Sequence, residues 1–496
     1  MIHRQLKHQD FRGTKNLVAM ACMGIMLSCN QPQAVNNKPG EENDSTSNAP
    51  TAAPGNPQEK LLYSRALNVV LWGMPAVNTE LLYRGLKASN GDFNQVVYWS
   101  KLPSWKNQTL TPNPETVYLF PFYDTRNGPV VMEIPAAIGG SITGSLDDAW
   151  QTAIEDVGPA GVDKGRGGKY VILPPDFKAR MPAGYIPMPS STYTGFAILR
   201  SNIASGSDED VAKAVAYGRQ VKIYPLSAAN AETRFSDALD VVYDNTIPYN
   251  FDFFVALNDF IQREPWLTRD MAMIDQLKTL GIEKGKPFSP DARTKEILNA
   301  AIRDAALHID SQYEKLFTPP FFEGTHWALP ASQELIKELT SNYADPANYP
   351  IDARGITYSM AYFSAKHLGE GQFYLMAISD KNGKPLDGSK TYRLTVPANP
   401  PVKLYWSATI YDRKTHALIR DMTRFSRASH SPGIVKNSDG SVDVYFGPAA
   451  PVGKDVNWIP TTPKGGFEVL FRFYGPEKAL YDKTWKMGDI EEVSRN

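Results

Sequence analysis

Residues 116–134 read TVYLFPFYDTRNGPVVMEI, and this stretch decides the fold of the N-terminal part of the chain. Two runs of aromatic and β-branched residues, at 116–123 and 130–134, are typical of β-strands. Between them, residues 124–128 tolerate positive φ angles, which favours a hairpin turn. We therefore expect an N-terminal β-sandwich. Further strand-like runs lie at residues 95–99, 169–173 and 192–199.

Apolar residues follow a helical period on either side of this sandwich. A helix is expected ahead of it at residues 61–89, with one broad apolar face that is interrupted at Pro75. Together, this helix and the sandwich make up residues 61–205. The next section, residues 206–372, is predicted to be helical, and Ser289 before Pro290 is typical of a helix start. Its expected helices span residues 208–222, 251–263, 268–280, 290–316, 332–343 and 358–368.

The pattern returns to strands at about residue 373. The dipeptides Asn382-Gly383, Asp387-Gly388 and Asp439-Gly440 favour tight turns between antiparallel strands. We expect a second β-sandwich over residues 373–496, so the fold class is mainly β with a helical middle section. The expected strands lie near residues 391–396, 402–411, 441–446 and 467–474.

The N-terminus carries a targeting signal. A basic start precedes an apolar run at residues 17–27, which is too short to span a bilayer, and then Ser28-Cys29. This order resembles a bacterial lipoprotein signal, which implies that residues 1–28 are removed and that membrane lipid is attached to the Cys29 thiol. The alternatives are an ordinary secretory signal or an uncleaved apolar start.

Residues 29–60 are rich in Asn, Pro, Ser and Thr and almost free of large apolar residues. Such a segment cannot form a core and is expected to be a flexible tether. The lipoprotein interpretation therefore predicts an exported protein of the cell envelope, anchored through Cys29 on the periplasmic side or at the outer surface.

Composition excludes several classes of function. Lysine and arginine total 52 against 53 acidic residues, so nucleic acid is not an expected partner. Cys22 and Cys29 are the only cysteines, and no disulfide framework is expected. No Rossmann fingerprint, C-x-x-C pair or G-x-S-x-G elbow occurs, so no cofactor is predicted. No metal site is predicted either, because the candidate histidines are scattered: His308, His326, His367, His416 and His430.

Several ordered motifs resemble known families. TPNPETVY at residues 111–118, GPVV at 128–131 and DAW at 148–150 resemble exported bacterial proteins with domain of unknown function 1254. The remaining motifs resemble domain of unknown function 1214: GKPLDG at 383–388, PPV at 400–402, YWS at 405–407, DGS at 439–441 and NWIP at 457–460.

The resemblance implies an immunoglobulin-like β-sandwich, a helical domain and a C-terminal jelly-roll-like β-sandwich. It implies no established activity. Glu115 stands where the family pattern leads us to expect aspartate, which lengthens the reach of that carboxylate by one methylene.

Residues 112–115 supply the first candidate site residues. Two prolines stiffen a turn that places Asn113 beside Glu115, ahead of Tyr118 on a strand. Asp147 beside Trp150 is a second candidate, since paired carboxylates near an aromatic ring suit glycoside hydrolysis. Glu115 and Asp147 are therefore the candidate catalytic residues, and Asn113, Tyr118 and Trp150 are candidate ligand contacts. The alternatives are that Asn113 and Glu115 fix the turn by hydrogen bonds to the backbone, and that the acidic cluster at Asp147 is a solvated face or a turn cap. The aromatic residues would then belong to ordinary core or turn packing.

The C-terminal candidates are arginine, histidine and aromatic residues. A carboxylate or phosphate could be held by Arg424 with His430, while Asn457 and Trp458 belong to an aromatic and polar group with Trp406, Tyr411 and Arg472. Alternation along residues 404–409 places Trp406 on one face and Tyr405 on the other, without deciding which face is core.

Two functions remain open. In the first, the protein binds, and through its carboxylates hydrolyses, a small molecule or glycan in a cleft between the two β-domains. In the second, it is a noncatalytic envelope protein that docks onto a partner through aromatic β-surfaces. A deep pocket that encloses an Arg–His pair or two carboxylates would favour the first function.

Overall fold

The computed structural model describes residues 54–181, 183–362, 365–367, 369 and 371–494. Cys29 and the predicted lipoprotein signal lie outside the described residues. The first element is a long helix, α1 (Pro57–Ala88), which begins within the predicted tether because Asn56 caps it by accepting a hydrogen bond from the Glu59 amide at 2.9 Å. Pro75 lies inside α1.

The N-terminal β-section contains two large sheets packed face to face. The elements are β1 (Gln95–Tyr98), β2 (Asn107–Gln108), β3 (Val117–Asp124), β4 (Val130–Ile134), β5 (Ile142–Asp148), β6 (Ala153–Val157), β7 (Gly168–Leu173), β8 (Ile186–Pro189), β9 (Thr194–Ser201), α2 (Asp208–Gly218), β10 (Lys222–Pro225), β11 (Phe235–Asp237) and β12 (Tyr243–Asp244). A six-stranded sheet has the order β11-β1-β3-β9-β5-β6, a four-stranded sheet the order β10-β4-β7-β8, and β2 pairs with β12.

The predicted hairpin at residues 124–128 is wrong, because β3 and β4 belong to different sheets. Strand β3 pairs with β1 and β9, and β4 pairs with β10 and β7. Both edges of β3 are therefore hydrogen-bonded to other strands, and the turn at residues 124–128 crosses from one sheet to the other. Leu119 and Met132 meet in the core between the two sheets.

The first helix of the helical section, α2 (Asp208–Gly218), is shorter than predicted. Helix α2 ends at Gly218 rather than at residue 222, because residues 222–225 form β10 and pair with β4. The helices that follow are α3 (Asp252–Arg263), α4 (Met273–Thr279), α5 (Ala292–Lys315), α6 (Gln333–Thr340) and α7 (Ile351–Met360), and they pack with α1 around one apolar core.

Helix α7 differs most from its prediction at residues 358–368. It starts after Pro350 and ends at Met360, where Ala361 becomes extended. Gly355 concealed this helix from sequence reasoning, because glycine lowers helix propensity. The structure explains the glycine, since a Cβ there would lie 2.8 Å from the Leu71 carbonyl oxygen of α1. The two helices therefore pack at close range.

The C-terminal section is a second sandwich of two four-stranded sheets, with the orders β13-β19-β15-β16 and β18-β17-β14-β20. This confirms the coarse fold class of N- and C-terminal sheets with helices between them. No helix among the described residues is long and apolar enough to cross a membrane. The elements are β13 (Gln372–Ala377), β14 (Tyr392–Val396), β15 (Val402–Asp412), β16 (Ser426–Ala428), β17 (Val442–Gly447), β18 (Trp458–Pro460), β19 (Phe467–Pro476), α8 (Lys478–Tyr481) and β20 (Glu491–Glu492).

Candidate functional site

The two sandwiches face each other through their polar and aromatic sheet surfaces. On β15, Trp406 points into the apolar core of the C-terminal sandwich, while Tyr405 points away from that core and reaches the N-terminal section. On the N-terminal side, Tyr118 of β3 lies directly opposite Arg200 of β9. Aromatic and arginine side chains therefore line the junction between the sandwiches.

The turn at residues 111–115 connects the two sandwiches. Asn113 is buried, and its Nδ2 donates to the Tyr474 hydroxyl at 2.7 Å and to the Tyr405 hydroxyl at 3.4 Å. Its Oδ1 accepts from the Glu115 amide at 3.0 Å, and its own amide donates to the Tyr118 hydroxyl at 2.9 Å. One asparagine thus joins the turn to tyrosines of both sandwiches.

Glu115 is buried beside two polar residues of the C-terminal sandwich. The Ser426 hydroxyl donates to its Oε1, and His430 Nε2 lies 3.4 Å from its Oε2. The His430 ring packs edge-on against Tyr405, with centroids 4.4 Å apart. Four of the sequence candidates, Asn113, Glu115, Tyr118 and His430, therefore come together at one interface.

Arg472 of β19 is fully buried in the same interface. Its guanidinium donates to Thr409 Oγ1 at 3.0 Å, to the Thr111 carbonyl at 2.9 Å and to the Tyr411 hydroxyl at 2.6 Å. Its Nε has no hydrogen-bond partner among the described residues. Hydroxyl and carbonyl oxygens take the place of a carboxylate partner, so the charge of Arg472 is solvated but not neutralised.

Arg200 is the second cation of the interface. Its guanidinium carbon lies 5.5 Å from the Tyr118 ring centroid, and its Nε is buried without a hydrogen-bond partner in the described part of the chain. Burial raises the pKa of Tyr374 and of Tyr474 well above the usual range, so both phenols keep their protons. Neutral hydroxyls and two arginines therefore create a positive potential at this junction.

A cavity of about 340 Å³ opens between the sandwiches at this point. Its floor includes Phe120 and Ile198, its roof includes Met376 and Leu470, and helix α7 contributes Met360 to its wall. Arg200, Arg472, Tyr118 and Tyr374 also line it. The cavity is thus mainly apolar with a cationic, hydroxyl-rich side, and its size is typical of a small-molecule site.

Asp147 and Trp150 lie elsewhere. Asp147 is fully buried on β5, and neither carboxylate oxygen has a hydrogen-bond partner within the described residues. Burial, reinforced by the Asp148 charge, raises the pKa of Asp147 well above its ordinary value. The Trp150 ring packs in the helical core, 4.9 Å from the centroids of Trp72 and Phe260.

Arg424, Asn457 and Trp458 form a separate group in the C-terminal sandwich. Arg424 Nη1 donates to the Asp455 and Trp458 carbonyls, at 2.7 and 2.9 Å. Asn457 exchanges two hydrogen bonds with the backbone of Val435, and Trp458 Nε1 donates to a backbone carbonyl of β17. These polar atoms are used to fix loops.

Metal ligands do not cluster in the described part of the chain, where no group of three or more His, Cys, Asp and Glu side chains is placed to hold an ion. Sequence reasoning missed Arg200. The available signal was a single charged residue in the apolar run TGFAILRS at 194–201. Because side chains alternate along a strand, Arg200 lies on the same face as Phe196 and Ile198.

Comparisons with known proteins identify families and a fold but no activity. Residues 93–225 match the family described as protein of unknown function DUF1254, and residues 371–478 match protein of unknown function DUF1214. No curated protein matches the chain.

Two crystal structures of bacterial proteins are similar. A Vibrio parahaemolyticus protein is 18% identical, with a TM-score of 0.55, over 87% of this chain and 100% of its own. An uncharacterised Burkholderia cenocepacia protein is 11% identical, with a TM-score of 0.40, over 88% of this chain and 94% of its own. The first shares the fold.

Proposed function

We propose that this chain, which carries a DUF1254 domain followed by a DUF1214 domain, binds a small anionic molecule with an apolar body in the cavity between its two sandwiches. One observation carries this proposal. Arg200 lines an apolar cavity, and among the described residues its Nε has no hydrogen-bond partner and no carboxylate lies within ion-pair distance of its guanidinium. A guanidinium in this setting suits a carboxylate ligand, because it offers paired donors and positive charge.

The lining favours an apolar ligand over a glycan. Phe120, Ile198, Met360, Met376 and Leu470 present carbon to the cavity, whereas sugars need many hydrogen-bonding partners. We limit the proposal to binding, since the described lining includes neither Glu115 nor Asp147. The alternative of an aromatic docking surface finds less support, because Tyr405 and Tyr474 are buried.

We also propose that Cys29 anchors the protein to a membrane of the cell envelope as a lipoprotein, and that the two sandwiches are immunoglobulin-like and jelly-roll-like. The order of basic start, apolar run and Ser28-Cys29 supports the anchor. A Cys29→Ala variant should leave the membrane fraction. Retention in that fraction would contradict lipidation.

The binding proposal is tested by a thermal-shift screen of the full chain. Medium-chain and aromatic carboxylates are compared with the matching alcohols and with glycans. A carboxylate at one hundred times its Kd stabilises the fold by about 2.7 kcal/mol, whereas the alcohols should give smaller shifts.

Arg200→Gln should weaken carboxylate binding by about 10- to 100-fold, the value of one charged hydrogen bond. Arg180→Gln is the matched control, because Arg180 is exposed and lies outside the cavity lining. Equal binding of acids and alcohols, or full binding by the Arg200 variant, would refute the proposal.

A further inference from the structure

A second pair of arginines lies in the helical section, apart from the cavity lining. Arg354 of α7 is fully buried, and one of its terminal nitrogens donates to the Tyr349 hydroxyl. Its Nε and Nη2 have no hydrogen-bond partner among the described residues. Two charged donors without acceptors in a protein interior lower the free energy of unfolding. A bound ligand that accepts hydrogen bonds from this guanidinium would remove that cost.

Aromatic rings surround this guanidinium. Its carbon lies 4.8 Å from the ring centroid of Tyr349, 5.4 Å from that of Tyr343 and 5.7 Å from that of Trp150. Arg269 packs on the same two tyrosines, with its guanidinium carbon 4.6 Å from the Tyr343 centroid and 5.5 Å from that of Tyr349. Two cations thus share one pair of tyrosine rings.

Unpartnered donors are concentrated around these rings. Besides Arg354 Nε and Nη2, the buried and unpaired atoms in the described structure include Arg269 Nε and Nη2, Trp150 Nε1 and the Tyr343 hydroxyl. They come from three separate parts of the chain: the loop after β5, the segment between α3 and α4, and the segment from α6 to α7. All of these atoms can donate a hydrogen bond, which is what an anion requires, and Asp270 Oδ2 is an unpartnered acceptor in the same region of the described structure.

Two carboxylates lie near this set, and one of them, Asp270, forms a long ion pair with Arg269. Asp270 accepts from Trp72 Nε1 at 2.6 Å, and its other oxygen lies 3.7 Å from Arg269 Nε. Asp148 accepts from the amides of Trp150 and Thr152, both at 2.9 Å, and from a serine hydroxyl. Neither carboxylate forms a hydrogen bond with Arg354 in the described structure.

We propose that Arg354, Arg269, Trp150 Nε1 and the Tyr343 hydroxyl form an enclosed binding site for a halide ion such as chloride. A monoatomic ion suits the site better than an oxyanion, because the neighbours of the Arg354 guanidinium are aromatic rings, which give the further oxygens of an oxyanion few hydrogen bonds. Bound there, the ion stabilises the packing of α7 and the β5 loop.

The test uses bromide as the probe. Crystals of the full chain grown in bromide should show an anomalous peak in contact with the Arg354 guanidinium. Replacing gluconate by bromide at constant ionic strength should raise Tm by about 1 to 2 °C at ten times the Kd. The absence of a peak at Arg354 would overturn the site, and a shift with phosphate but not bromide would overturn the choice of a halide.

Two variants separate this site from the cavity and from nonspecific salt effects. Trp150→Phe keeps the ring and removes one donor, so bromide affinity should fall about tenfold. Arg200→Gln lies in the cavity and should leave the bromide shift unchanged. A bromide shift that survives Trp150→Phe at full affinity, or that is lost in Arg200→Gln, counts against the assignment.

Discussion

Replacing Asn113 by alanine should destabilise the protein by about 2 to 5 kcal/mol. The substitution removes the bond from Nδ2 to Tyr474 at 2.7 Å and the bond from the Glu115 amide to Oδ1 at 3.0 Å. Two hydrogen bonds at about 1 kcal/mol each give the lower bound. The upper bound adds the cost of leaving the buried Glu115 amide without its acceptor, about 1 to 3 kcal/mol.

Urea unfolding followed by tryptophan fluorescence measures this loss as a lower midpoint at an unchanged slope. Asn127→Ala is the matched control, because Asn127 is exposed in the turn after β3 and its truncation should cost less than about 0.5 kcal/mol. If Asn113→Ala and Asn127→Ala lose the same small amount of stability, the turn at residues 111–115 does not hold the sandwiches together.

Two further predictions concern β5. Burial raises the pKa of Asp147 well above its ordinary value, so the folded state retains a proton that the unfolded state releases, and stability falls as pH rises above about 4 toward the folded pKa. Asp147→Asn should remove this fall, so that the unfolding free energy of the variant, relative to that of the wild type, increases as the pH is raised to about 8; parallel pH profiles would contradict it. Gly144→Ala places a Cβ 2.0 Å from the Ile198 carbonyl oxygen and should lower the unfolding free energy by about 3 kcal/mol or more, which thermal unfolding measures. The control is Gly465→Ala, whose Cβ meets no atom within 4 Å and which should not lower the unfolding free energy by this amount. Equal melting temperatures for the two glycine variants would refute that packing argument.

Sequence patterns predicted the elements better than their pairing. The run of aromatic residues in 116–123 indicated a strand correctly, but both of its faces are apolar or aromatic, so periodicity could not show that one face meets the second sandwich. The turn residues at 124–128 favour a reversal of the chain equally well within a sheet or between two sheets. Only the occupied edges of β3 exclude the hairpin.

The candidate site was predictable only where its residues are close together in the sequence. Asn113, Glu115 and Tyr118 are close in sequence, so their proximity follows from local geometry, and the stiff Pro-Asn-Pro turn indicated it. Their contacts with His430 and Tyr474 depend on how two distant sandwiches dock, which no spacing reveals. Arg200 remained hidden because a single charge at a strand end is usually solvated.

The walls of the cavity have a consequence for the order of events in folding. Leu82 lies on the first helix and Tyr481 on the last one, and both line the same space. Synthesis proceeds from the N-terminus, so the pocket is complete only after α8 has docked. A ligand of the cavity therefore cannot act as a template for early folding, and its binding reports that the chain has reached its finished tertiary structure.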